Sequence, residues 1–243
     1  MNAVLKNRDW SYPLESLDKK FDEVFDSVTA EKFHMARGDF LMEWRHLEIL
    51  WGRLQEDYRF FYTSQSQFKE GDIKDYKNNM RIGMLLMRSL DCIHLDTDCF
   101  LINARILMDG LARLTTFFWR KIARKQPKWR SFNAHVEWFM EPKNQNEIID
   151  KNYAQYITQN TGWFKDKLKP SRDNLIVHRF SSDVYHVNAL KSDSGTAMRG
   201  KSIFKSKEGN VVVEYDMSEM PDLDELMNNI CNFLSFFDKH FSL

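Results

Sequence analysis

Residues 167–180 read KLKPSRDNLIVHRF and hold side chains suited to proton transfer and phosphate chemistry. Arg172 offers a planar fork of donors that matches phosphate oxygens, and His178 is of the one residue type that ordinarily titrates near neutral pH. Asp173 and Asn174 can orient either group by hydrogen bonding. Together such groups could move protons at a phosphate and hold its charge. A second reading stays open, an ordinary helix end in which Asp173 favours the positive N-terminus and His178 is incidental.

The element that must position these groups is a helix opened by Pro170, whose missing N–H is harmless in a first turn. At about 100° and 1.5 Å per residue, Arg172 shares the apolar side with Leu168, Leu175 and Ile176. His178 lies about 120° around and roughly 9 Å further along, one turn beyond Asn174. Arg172 and His178 therefore cannot surround one phosphate from a single straight helix. A bend after Val177 or a second chain has to bring them together.

The remaining sequence predicts a mainly α protein, a single domain over residues 1–243. Apolar residues at steps of three, four and seven from Phe33 to Phe61 predict an amphipathic helix over about 29–62, with Gly38 a point where it could break. Further helices are expected over about 75–93, 97–123, 131–140 and 146–160, with Pro142 as punctuation. Asp96 and Thr97 stand where the cap of the 97–123 helix is wanted, a reading preferred over His94, Asp96 and Asp98 as metal ligands. Alternation around Gly209–Asn210 predicts a small β-hairpin at about 201–216, inserted before a closing helix from Pro221 to about residue 241. The expected architecture is a helical bundle with long antiparallel helices. Trp44 and Trp51, seven apart, fit core packing better than base stacking.

Composition narrows the function classes. Lys and Arg number 35, Asp and Glu 35, so attraction to nucleic acid has to be local. The run WRKIARKQPKWR supplies Arg120, Lys121, Arg124, Lys125, Lys128 and Arg130 with no acid, interleaved with Trp119 and Trp129. It reads either as an RNA-phosphate patch or as cations gathered at a helix C-terminus. FKDKLKPSR adds Lys165, Lys167, Lys169 and Arg172, and Arg179 closes the 170–179 stretch as a further candidate for RNA binding. Three cysteines without a CxxC spacing read as reduced thiols of a cytoplasmic protein, and no apolar run reaches the length of a membrane span. His135 and Glu137 lack a third ligand nearby, and no phosphate-binding glycine loop, GxSxG or HExxH occurs. No cofactor or metal is expected.

At Arg172, Asp173 and His178 the sequence resembles the HEPN superfamily. Its signature is an Arg, usually followed by Asn, Asp or His, then a His after four to six intervening residues; five intervene here. Arg88/His94, Arg130/His135 and Arg179/His186 also satisfy the bare spacing, but only Arg172 is followed by Asp. The resemblance implies a helical domain that commonly forms a homodimer, placing two motifs in one cleft, with metal-independent RNA cleavage in active members. It also implies possible toxin or phage-defence settings, with an antitoxin or small nucleotidyltransferase as partner. Other members bind RNA, a nucleotide or a protein without catalysis, which is the alternative function here.

Overall fold

The computed structural model describes residues 14–19, 27–67, 76–127, 129–169, 186–191, 197–207, 210–216 and 223–242. They are mainly helical. In chain order they form α1 (Glu15–Lys19), α2 (Ser27–Gln67), α3 (Tyr76–Thr115), a 3₁₀ turn (Thr116–Phe118) and α4 (Trp119–Ile122). There follow α5 (Phe132–Met140), a second 3₁₀ segment (Pro142–Glu147), α6 (Lys151–Asn160), a π-helical turn (Phe164–Leu168), strands β1 (His186–Lys191), β2 (Ala197–Lys207) and β3 (Asn210–Asp216), and α7 (Leu223–Ser242).

Helix boundaries differ from the sequence pattern at several points, among them the helix expected over about 146–160, which begins only at Lys151 behind a 3₁₀ segment. Helix α2 runs unbroken through Gly38, because its buried series Phe33, Phe40, Trp44, Leu47, Trp51, Leu54, Tyr58 and Phe61 continues across it. Burial on that scale outweighs the roughly 1 kcal/mol that a helical glycine costs. Asp96 and Thr97 do not cap a helix. They lie inside the 40-residue α3, which begins at Tyr76 and ends at Thr115, not at Ala123. Trp44 and Trp51 are both core residues.

The chain divides into two compact units, and α2 and α3 contribute to both. One unit contains residues 48–101 and 171–220. In it the C-terminal part of α2 packs antiparallel on the N-terminal part of α3, with Trp51 and Phe100 rings 5.5 Å apart and Arg53 2.9 Å from Asp96. Where the alternation at 201–216 suggests one ribbon, the backbone of this unit pairs three antiparallel strands in the order β1-β2-β3. Ala189 stands opposite Arg199, and Phe204 opposite Val213.

The other unit contains residues 8–47, 102–170 and 221–243. Its organiser is α7, whose Leu223, Leu226, Met227, Ile230, Phe233, Leu234, Phe237 and Phe241 are buried at helical spacing. Asp224 and Glu225 in its first turn and Lys239 and His240 in its last agree with the helix dipole. Phe118 stacks on Phe241 at 4.5 Å and meets Phe237 and Phe33 edge-on. The buried Asp238 reaches out of α7 to accept the backbone N–H of Ser16 at 3.2 Å and of Leu17 at 2.7 Å.

That carboxylate holds a helix of five residues, too short to persist alone. Asp238→Ala is expected to destabilise the protein by about 1–2 kcal/mol, and Asp238→Asn, which keeps one acceptor, by less. Urea denaturation of the three proteins measures the order.

Candidate functional site

Of the residues singled out by the sequence, Arg172, Asp173, Asn174, His178, Arg179 and Lys128 lie outside the described residues. Lys169 is placed, half-buried, just after the π-helical turn. Arg120 lies on α4, while Lys121, Arg124, Lys125 and Arg130 are exposed. The segment that carries these cations is pinned by backbone. Arg124 N–H donates to Glu147 O at 2.7 Å, Ile149 N–H donates to Ile122 O at 3.2 Å, and Ala123 bridges Ile148. Lys125 also pairs with Glu147 at 3.1 Å.

Arg120 and Lys121 thus lie on a four-residue helix, and the other cations follow it beyond an extended bridge at Ala123. The aromatic half of the expected patch changes as well. Trp129 is buried, its ring 4.1 Å from that of His135 and edge-on to it, so it serves the core and not a base-stacking surface.

His135 is fully buried and shares a 3.0 Å hydrogen bond with the equally buried Tyr153 hydroxyl. Ser131 caps α5 by accepting from Ala134 N–H, and Asp150 caps α6 by accepting from Tyr153 N–H at 2.9 Å, so the ends of two helices set this contact. Burial lowers the His135 pKa to about 3 and raises that of Tyr153 well above its ordinary value, with Asp150 adding to the second shift. The pair therefore stays neutral across the physiological range and cannot trade protons with a substrate there.

Two further polar groups escaped the sequence reading. The second oxygen of Asp150 lies 2.7 Å from His240 Nε2, which joins the start of α6 to the last turn of α7. Arg105, almost buried in the apolar run of α3, lies over the Phe164 ring at 4.5 Å, with Nε 3.4 Å from Asp109. The other Asp109 oxygen accepts Phe132 N–H at 2.7 Å. An arginine four residues before an aspartate in an otherwise apolar helix was the available signal, although nothing in it named Phe164 or Phe132.

In the other unit, Asp96 is 1% exposed and pairs with an Arg53 that is 54% exposed. Burial raises the pKa of Asp96 despite Arg53, and raises that of Asp57, with Asp96 the next contributor. Cys99 is also shifted up, by burial first and then by Asp96 and Asp98, which opposes a reactive thiolate. Among the described residues, no three His, Cys, Asp or Glu side chains are grouped so that they could hold a metal ion, and no helix is long and apolar enough to cross a membrane. Comparison of the chain with family models, curated proteins and solved structures finds no match.

The His135 shift has a defined sign. Its folded pKa of about 3 lies below the ordinary 6.5, so the unfolded chain binds the extra proton in between. Stability from this group is complete above about pH 6.5 and is lost as pH falls toward 3, by up to about 1.4 kcal/mol per unit. His135→Phe should flatten the decline in urea stability between pH 6.5 and 4.5, whatever it costs at pH 7.5.

Proposed function

We propose that this protein is a metal-independent endoribonuclease of the HEPN kind. The observation that carries the reading is the sequence Arg172-Asp173 with His178 five residues on, in a chain that is mainly helical. The exposed cations Lys121, Arg124, Lys125 and Arg130, on a segment fixed by backbone pairing, support it as a place for RNA phosphates.

In this reading His178 takes the 2′-OH proton as the oxygen attacks the adjacent phosphorus. The bond from phosphorus to O2′ forms, the bond to O5′ breaks, and the His178 of a second chain protonates the departing 5′ oxygen. Arg172 stabilises the charge on the phosphate, and Asp173 and Asn174 hold Arg172 and His178 in orientation. A homodimer supplies both histidines.

The exposed cations equally favour a second reading, a helical module that binds RNA without cutting it. Incubation with single-stranded and structured RNA in EDTA separates the two. The nuclease reading expects cleavage that falls at least about 100-fold in His178→Ala. Binding alone expects no cleavage and an affinity that drops with salt and with Arg124→Ala, while His178→Ala leaves it unchanged. Cleavage undiminished in His178→Ala refutes the first reading.

A further inference from the structure

Arg105 stands in α3 among Leu101, Ala104, Leu107 and Met108, all fully buried. It is itself only 9% exposed, and a guanidinium cannot shed its charge to suit such a place. The group carries five N–H donors. Its Nε reaches Asp109 at 3.4 Å, and no other hydrogen bond to Arg105 occurs among the described residues. Nη1 is enclosed without a partner. Nη2 has no partner either but is not enclosed, so it marks the side from which the group can be reached.

Asp109 answers this charge incompletely. It meets the Nε edge and not the two-nitrogen end that grips a carboxylate in parallel bonds. Its other oxygen accepts Phe132 N–H at 2.7 Å, which commits it to the start of α5. Arginine four residues before aspartate is also the weaker order within one helix. On the flat side of the guanidinium lies the Phe164 ring, its centroid 4.5 Å away, buried and edge-on to Phe132 at 4.7 Å. Phe164 opens the π-helical turn Phe164–Leu168, a geometry that is rare and recurs at functional sites. A buried donor left without an acceptor in a folded protein calls for an explanation, and a bound ion is one of the few available.

We propose that Arg105 anchors a binding site for the carboxylate of a small organic acid, where α3 meets the π-helical turn. Two parallel bonds, from Nη1 and Nη2 to the two carboxylate oxygens, give the fork the acceptors it lacks. Charge and surroundings select carboxylate over phosphate. A phosphate dianion sets a second negative charge against Asp109, and it gives up more hydration beside Phe164 and the apolar residues of α3. Nη1 is enclosed by packing, so a bidentate grip requires the guanidinium to slide over the Phe164 ring. The single long contact to Asp109 is the only polar restraint on that movement among the described residues. The site does not rest on the ribonuclease reading, since carboxylate binding and RNA cleavage are separate measurements.

Nuclear magnetic resonance of the isotope-labelled full chain tests it, through the side-chain Nε–Hε signal of Arg105, identified by its absence in Arg105→Lys. Benzoate added at constant ionic strength and neutral pH is expected to displace that signal saturably, half-way at about 0.1–1 mM. Inorganic phosphate should need at least about fivefold more. Equilibrium dialysis of benzoate compares the variants, with circular dichroism as the folding control. Arg105→Lys keeps the charge without the fork and should weaken binding about tenfold. Arg105→Met keeps the volume without the charge and should bind no benzoate; should it fail to fold, the wild-type titration and Arg105→Lys decide. An Arg105 signal unmoved at about 10 mM benzoate, roughly ten times the expected range, overturns the proposal, and is the result a lone water on Nη1 would give. Phosphate binding as tightly as benzoate, or undiminished binding by a folded Arg105→Met, overturns it equally.

Discussion

Carboxylates at helix N-termini are the constraint on which the α7-centred unit depends. A helix leaves its first backbone N–H groups without partners inside the helix. In α1 they are taken by Asp238 from α7, in α5 by Asp109 from α3 together with the local cap Ser131, and in α6 by Asp150. Helices of five, nine and ten residues cannot persist on propensity alone. Helices α1 and α5 therefore exist where another segment presents an acceptor to their starts, whereas α6 draws on its own cap, Asp150. Asp109 and Asp150 use their second oxygens on Arg105 and His240, so the same side chains that begin helices also hold the nitrogens packed beside them.

This arrangement explains what the sequence made legible. The closing helix could be read in advance because Leu223 to Phe241 repeat every three or four residues, and the repeat is a property of local sequence. The burial of Trp44 and Trp51 followed from the same logic. Asp96 could not be read correctly by that means. An Asp-Thr pair before an apolar run is what a helix start looks like, and the residue that changes the answer, Arg53, lies on a different helix. The burial of Trp129 was not legible for a related reason: it sits outside any periodic element, so its packing against His135 has no repeat to betray it.

The candidate chemistry sorts by how its charges are treated. His135 and Tyr153 are dry and neutral, and their hydrogen bond gives them a fixed place in the aromatic core with Phe132 and Phe139. Burial at Asp57, Asp96 and Cys99 pushes in the opposite sense for acids, so these groups hold protons more tightly than in water. His135 and Tyr153 are therefore closed to proton transfer with a substrate at neutral pH, whereas the carboxyls of Asp57 and Asp96 are shifted toward neutrality.

A chain with 35 cations and 35 anions exerts little field at a distance, so its recognition surfaces have to be written in the local order of charges. At physiological salt, charges more than about 8 Å apart are largely screened. Lys121, Arg124, Lys125 and Arg130 meet that condition, gathering one sign along a short pinned segment. A surface of one sign attracts a polyanion whatever its register, and such attraction weakens as ionic strength rises.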